Sequence, residues 1–305
     1  MFDELSIVNQ LSDAFPQYIG DDAAILPIDA EHSWVISKDL LIEDIHFRAR
    51  YQTAESLAHK ALHVNLSDIA AMGVQPEYAL LGISIPPQHD AYAKQFLSEF
   101  CAACQREKVI LIGGDTTPAI ERLSLSVTVM GKAKNHQVKT RNQAKPGDVL
   151  CVAGNIGDAH LGFTALENNT PGLETFKKVF LNPIARVDEG VWLGEQMGVT
   201  AMMDLSDGLA IDIPKLCRAS NVSAELDLSS IEKTENFMNA CQQLGLDPEE
   251  AQRNGGEDYS LLLAIDAACI ADIQTQFKMT FGYSFKCIGR IILESPVRYS
   301  FQKHA

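Results

Sequence analysis

Six short motifs place acidic residues beside glycines, small residues or apolar runs. An ionised carboxylate among apolar elements is costly unless it is paired or bound to a cation. If the motifs converge, their summed charge requires metal ions, and multi-metal sites of hard oxygen ligands usually bind phosphates. The motifs are Gly20-Asp21-Asp22-Ala23-Ala24, Ser37-Lys38-Asp39, Asn65-Leu66-Ser67-Asp68, Gly113-Gly114-Asp115, Asp204-Leu205-Ser206-Asp207-Gly208 and Gly255-Gly256-Glu257-Asp258.

Asp68 is the most informative of these acids. The sequence predicts a helix over 53–72, capped by Thr53 and stopped by Gly73. Asp68 interrupts its apolar stripe, because positions 61, 64, 68 and 72 share one face. Alone, Asp68 is equally consistent with a structural residue that caps a loop or pairs with a basic side chain. The five companion motifs favour a metal ligand.

Two further positions suggest phosphate chemistry. Gly113 and Gly114 follow an apolar strand predicted over 109–112, and glycines at a strand end let backbone approach a phosphate while Asp115 holds its Mg²⁺. Arg141 is a candidate clamp for a nucleotide phosphate, or a solvated linker charge. No Walker A sequence or protein-kinase motif set is present.

The composition narrows the class of protein. The formal charge of 25 − 40 = −15 argues against a nucleic-acid-binding surface and fits a protein that binds anions through Mg²⁺. The N-terminus shows no signal peptide and no apolar run reaches transmembrane length, so we expect a cytoplasmic protein. Seven scattered cysteines predict reduced core thiols, because the Cys101–Cys104 spacing lacks the second half of a zinc site.

Alternating strand and helix patterns predict two α/β halves. A basic stretch over 132–147 suggests the boundary, giving domains at 1–135 and 136–305. The strand over 123–130 alternates cleanly between apolar and hydroxyl residues, which indicates one buried face. Acid motifs recur at similar spacing in both halves. This recurrence is explained either by two structurally related halves or by chance resemblance of short motifs.

The six ordered motifs closely resemble those of the thiamine-monophosphate kinases, over nearly the whole chain. That family belongs to an ATP-binding superfamily with aminoimidazole ribonucleotide synthetase. The resemblance implies an α/β (α+β) fold of two mixed-sheet domains of the aminoimidazole ribonucleotide synthetase type, with an N-terminal domain that dimerises through its sheet. It also implies MgATP-dependent phosphorylation of thiamine phosphate to thiamine diphosphate. Aminoimidazole ribonucleotide synthetase activity and a non-catalytic nucleotide-binding regulator are the alternatives.

The resemblance also implies roles for individual residues. Mg²⁺ positions match Asp22, Ser37, Asp39, Asp68, Asp115, Asp204 and Asp207; ATP contacts match Gly114, Asp115, Arg141 and Ser206; the thiamine phosphate pocket matches His46, Glu257 and Phe301. Lys38 departs from the family, which often has a hydroxyl residue there. No general base is expected, because a phosphate monoester near neutral pH is already mostly a dianion.

Overall fold

The computed structural model describes residues 4–293 and 300–301, which form two mixed sheets with helices, as predicted. The first sheet has the order β1-β2-β5-β3-β4, with β3 parallel to β4 and the other pairs antiparallel. Its elements are α1 (Glu4–Ala14), β1 (Ala24–Pro27), β2 (His32–Ile42), α2 (Ala54–Ala71), β3 (Tyr78–Ile85), α3 (Asp90–Arg106), β4 (Ile110–Pro118) and β5 (Ser124–Lys134).

The second sheet has the order β11-β8-β10-β6-β9-β7, antiparallel except for β11 beside β8. Apolar clusters bury both of its faces. Its elements are β6 (Val149–Ala153), α4 (Asp158–Glu167), α5 (Glu174–Leu181), α6 (Val187–Gly194), β7 (Val199–Leu205), α7 (Leu209–Ala219), β8 (Ser223–Leu226), α8 (Glu235–Leu244), α9 (Pro248–Asn254), β9 (Ser260–Ile265), α10 (Ile270–Phe281), β10 (Lys286–Ile292) and β11 (Ser300–Phe301).

Helix α2 is the central element between the sheets. Thr53 caps it by accepting a hydrogen bond from the Ser56 N–H at 3.1 Å, as predicted. It ends before Gly73, whose φ of +74° is a left-handed conformation that glycine adopts without strain. The helix packs on β2 and β5 of the first sheet and on β7 and α6 of the other half, and most of its side chains are buried. It can therefore deliver polar groups into a cleft between the halves.

The first sheet buries one face and leaves the other partly open. Leu125, Val127 and Val129 of β5 are buried in the cluster with α2 and α3, which confirms the predicted alternation. The hydroxyl residues of β5 share the opposite face with Lys38 and Leu40, and Leu40 is 56% exposed.

Strand β4 is longer than the sequence indicates. Its apolar start predicts a strand ending at 112, but pairing with β3 continues to Pro118, so Gly113, Gly114 and Asp115 lie inside the strand. A Cβ at Gly114 would collide with the backbone oxygen of Leu81, so close packing of the two strands explains why glycine occupies this position.

The cysteines are free thiols in the described residues, although not all lie in the core. Cys104 is buried on the apolar face of α3, whereas Cys101 is exposed because it faces away from the sheet. No helix in residues 4–293 is long and apolar enough to span a membrane.

Candidate active site

A cleft of about 600 Å³ lies between the two halves and is lined by five of the six acidic motifs. Loop, strand and helix residues from the first half meet the Asp204–Asp207 segment and Glu257 of the second half. Residues up to 241 positions apart in the chain (Tyr18 and Tyr259; 259 − 18 = 241) therefore face one space.

Three carboxylates form the centre of the cleft. Asp22 lies just before β1, Asp68 on α2 and Asp204 on β7, and one oxygen of each lies within 4.8 Å of the others. The Ser37 hydroxyl donates to Asp68, and the Ser67 hydroxyl donates to Asp204 at 2.9 Å. Oδ2 of Asp22 is buried and has no hydrogen-bond partner among the described residues. Hard oxygen atoms so arranged suit a divalent cation such as Mg²⁺.

Burial and mutual repulsion raise the pKa values of these acids. Burial raises the pKa of Asp22 to about 7, Arg141 opposes that shift and Asp21 adds to it. Burial raises the pKa of Asp68 well above its usual value, and the charges of Asp204, Asp39 and Asp22 add to it. Burial and the charge of Asp22 likewise raise the pKa of Asp204. The cluster is thus under-neutralised without a bound cation.

Two basic side chains partly neutralise the rim of the cleft. Arg141 forms ion pairs with Asp22 and, at 3.4 Å, with Asp21. Lys215 on α7 lies 2.5 Å from Asp207 and 2.8 Å from Asp212. The buried Asp212 accepts hydrogen bonds from the N–H groups of Asp207 and Gly208, which fixes the turn that presents Ser206 and Asp207.

Strand alternation separates Lys38 from its neighbours in β2. Ser37 and Asp39 face α2, where the Asp39 N–H donates to the Asn65 side chain at 3.1 Å. The Lys38 side chain donates to the Ser126 hydroxyl on the opposite face of the sheet. A hydroxyl side chain at position 38 would also point away from the acids, so only backbone at this position can serve the cluster.

The chain does not bring Gly114 and Asp115 into its own cleft. Asp39, Val127, Leu81 and Gly114 form one row across the sheet, so three strand spacings, about 14 Å, separate Gly114 from Asp39. Asp115 is exposed and pairs with Gly82. It belongs to the same row across the sheet as Leu40, on the open face.

A second cavity of about 190 Å³ adjoins the cleft through shared residues. His46 and Glu257 line both spaces, and Nδ1 of His46 accepts from the Ile42 N–H at 3.0 Å. Most of the remaining wall is aromatic or basic, and Ile45 and Gly256 complete it; the aromatic and basic residues are Arg48, Tyr51, His160, Phe163 and Phe180. The backbone of Phe301 in β11 pairs with Leu226 of β8, and the Phe301 side chain lies outside the described part of the chain.

A larger hollow of about 710 Å³ lies at the ends of α2 and α3. Its wall mixes Arg106 and Lys108 with Glu107 and Asp188. We place the active site in the smaller cleft, because the convergent acids there need a cation.

Sequence reasoning missed Lys60 and Lys215 as cleft residues, and it named Asp21 in the first motif without giving it a role. Helical spacing was a usable signal for Lys60, because positions 60, 64 and 68 share one face of α2. Lys215 lies three residues after Asp212 on α7, a helix that the sequence patterns did not predict.

Comparison with known proteins places the chain in a family. The model of the AIR synthase related protein N-terminal domain matches residues 20–133, and that of the C-terminal domain matches residues 145–268. The thiamine-monophosphate kinase of Buchnera aphidicola (subspecies Acyrthosiphon pisum) is 32% identical over 93% of this chain and 86% of its own. That of Escherichia coli K12 is 33% identical over 90% of this chain and 83% of its own.

Solved structures agree with these relatives. A structure described as AaThiL complexed with AMPPCP and TMP matches with a TM-score of 0.85 and 26% identity, over 99% of this chain and 94% of that one. A thiamine monophosphate kinase from Stenotrophomonas maltophilia matches with a TM-score of 0.79 and 30% identity, over 98% and 96%. The chain therefore belongs to the thiamine-monophosphate kinases within the AIR synthase related proteins.

Proposed function

We propose that the chain transfers the γ-phosphoryl group of ATP to thiamine phosphate, giving thiamine diphosphate and ADP. The observation that carries this proposal is the acid-lined cleft joined to an aromatic cavity. The relatives carry the name of this activity, and AMPPCP and TMP, an ATP analogue and the acceptor, are bound in one of them. We propose a cytoplasmic location, because the cytoplasm supplies ATP.

We propose that the cleft residues hold several Mg²⁺ ions. The three clustered carboxylates, the orphaned Asp22 oxygen and their raised pKa values all indicate a missing counter-charge. Asp22, Asp68 and Asp204 would hold the ions, with Ser37, Asp39 and Asp207 alongside. Bound Mg²⁺ supplies charge neutralisation between two phosphates.

The other residues position the two substrates. Arg141 and Ser206 line the same cleft, and a guanidinium suits a nucleotide phosphate once a metal competes for Asp22. His46 and Glu257 would orient thiamine phosphate from the adjoining cavity. With both reactants aligned, direct in-line transfer requires no general base, because the acceptor oxygen is already charged.

The open face of the first sheet supports a homodimer. Lys38, Leu40 and Asp115 lie on the same face of the first sheet. Among residues 4–293 and 300–301, the helices pack on the opposite face of this sheet. We propose that a second copy covers this face and that one copy's Gly114 and Asp115 complete its partner's site. On this proposal residues 1–135 form the dimerisation and ATP domain, and residues 136–305 complete both substrate sites.

The dimer is tested by light scattering, with an expected mass of 2 × 33.4 = 66.8 kDa. Leu40→Glu places a charge in the proposed interface and is expected to give the 33.4 kDa monomer with reduced activity. Met279→Glu is a matched control, because Met279 is 82% exposed on α10 and its variant should stay dimeric. A wild-type monomer that is fully active would contradict the proposal.

The activity is tested with purified protein, MgATP and thiamine phosphate, following thiamine diphosphate by chromatography. We expect product with thiamine phosphate and none with unphosphorylated thiamine. Direct transfer predicts intersecting initial-velocity plots and no ADP–ATP exchange without acceptor. Absence of product at several millimolar Mg²⁺, while ATP still binds, would overturn the proposed function.

A further inference from the structure

Lys60 is a buried lysine whose ammonium group reaches the active-site cleft. Its side chain is only 1% exposed. The ammonium donates to the Glu257 carboxylate, lies 3.9 Å from the centre of the Phe180 ring, and lies 3.5 Å from the Phe180 carbonyl oxygen. A buried cation is costly unless such partners satisfy it. Lys60 is thus held in one place by groups from the second half of the chain.

Helix α2 links this ammonium to the acidic cluster. Lys60, Val64 and Asp68 are spaced four residues apart, and all three line the cleft. Two helical turns separate Lys60 from Asp68, which is about 12 Å at 1.5 Å per residue. One rigid element therefore sets the separation between the Lys60–Glu257 pair and the carboxylates that are suited to Mg²⁺.

Glu257 lies where the cleft and the aromatic cavity meet. Its backbone is held by a hydrogen bond from its N–H to the Ser206 carbonyl at 2.8 Å, in a left-handed conformation with φ of +66°. Oε2 of its carboxylate accepts from Lys60, and the side chain is 33% exposed. Oε1 accepts no hydrogen bond that is recorded among residues 4–293 and 300–301, so it can accept one from a ligand in the cavity.

We propose that Lys60 is a positioning residue for the phosphate acceptor. It fixes the Glu257 carboxylate at a set distance from the acidic cluster, so that an acceptor whose heteroaromatic ring binds Glu257 presents its phosphate at that cluster. It also makes the pair neutral, so that Glu257 orients the ring mainly by accepting a hydrogen bond. This inference rests on the proposed function, because it concerns the acceptor half of the same reaction.

Lys60→Met tests this role, because methionine keeps much of the apolar stem and removes the ammonium. We expect the KM for thiamine phosphate to rise about tenfold and kcat to fall, since small misplacements of a reacting group cost up to about 100-fold. The KM for ATP should stay unchanged, because Lys60 acts at the acceptor end. Lys60→Arg, which retains the charge, should recover part of the loss.

A double-mutant cycle separates positioning from folding. Lys60→Met alone leaves Glu257 without its cation, so Glu257→Gln and the double variant are measured beside it, with melting temperatures for all three. If Lys60 acts through Glu257, the double variant has the same KM for thiamine phosphate as Glu257→Gln. A lower melting temperature with an unchanged KM in Lys60→Met, or fully additive KM effects, would overturn the inference.

The wild-type assay distinguishes failure of this inference from failure of the proposed function. A wild-type protein that makes no thiamine diphosphate overturns both. A wild-type protein that makes it, with Lys60→Met showing the wild-type KM for the acceptor, overturns the positioning role alone.

Discussion

Replacing Asp68 with asparagine is expected to lower kcat on the order of 1,000-fold while raising the melting temperature of the metal-free protein. Asp68 lies within 4.8 Å of Asp22 and Asp204. Asparagine keeps the shape but removes the charge that would hold a metal ion. The same change relieves repulsion, because burial and the neighbouring acids already raise the pKa of Asp68. Turnover with thiamine phosphate and thermal unfolding in EDTA measure the two effects.

Asp148→Asn is the matched control for this substitution. Asp148 is also buried, but it accepts hydrogen bonds from the Lys145 N–H at 2.8 Å and the Thr200 hydroxyl at 2.6 Å, outside the cleft. Its asparagine variant should lose stability and keep most of its kcat, the reverse of Asp68→Asn. Near-normal turnover in Asp68→Asn would show that the cluster is not the metal site.

The stability of the metal-free protein is expected to fall as pH rises, and Mg²⁺ is expected to reverse this fall. Burial raises the pKa of Asp22 from 3.8 to about 7, and the pKa values of Asp68 and Asp204 are raised as well. A folded-state pKa above the unfolded value means that the folded protein holds protons more tightly. Its stabilising contribution is complete below about pH 4 and is lost as pH rises through the folded pKa, near 7 for Asp22.

Magnesium competes with these protons for the same oxygens. Its binding should release protons and strengthen as pH rises, because the carboxylates must ionise to bind. At about 100 times the dissociation constant, binding stabilises by about 2.7 kcal/mol, equivalent to roughly 5–10 °C in melting temperature. Melting curves from pH 5 to 8, with Mg²⁺ or EDTA, measure this gap. A gap that does not widen with pH would contradict the assignment, and Asp68→Asn should narrow it.

Much of the fold was readable from local patterns. The α2 boundaries follow from Thr53 and Gly73, and the alternation in β5 identified its buried face. The end of β4 was misjudged, because its glycines and Asp115 are held in the strand by pairing with β3 rather than by local propensity. Alternating strand and helix signals predicted two α/β halves, whereas the mixed sheets were expected only from the family resemblance.

The sequence by itself determined which acids stand in apolar surroundings and, through helical and strand periodicity, which face each occupies. Only the tertiary structure decided which of them meet. Asp22, Asp68 and Asp204 converge, whereas Asp115 lies on the opposite face of the sheet, three strand spacings or about 14 Å from Leu40 in β2. The tertiary structure also decided which basic side chains reach the cleft, since Lys60 pairs with Glu257, which is 197 positions away in the chain. Such long-range pairing depends on packing, which no local period records.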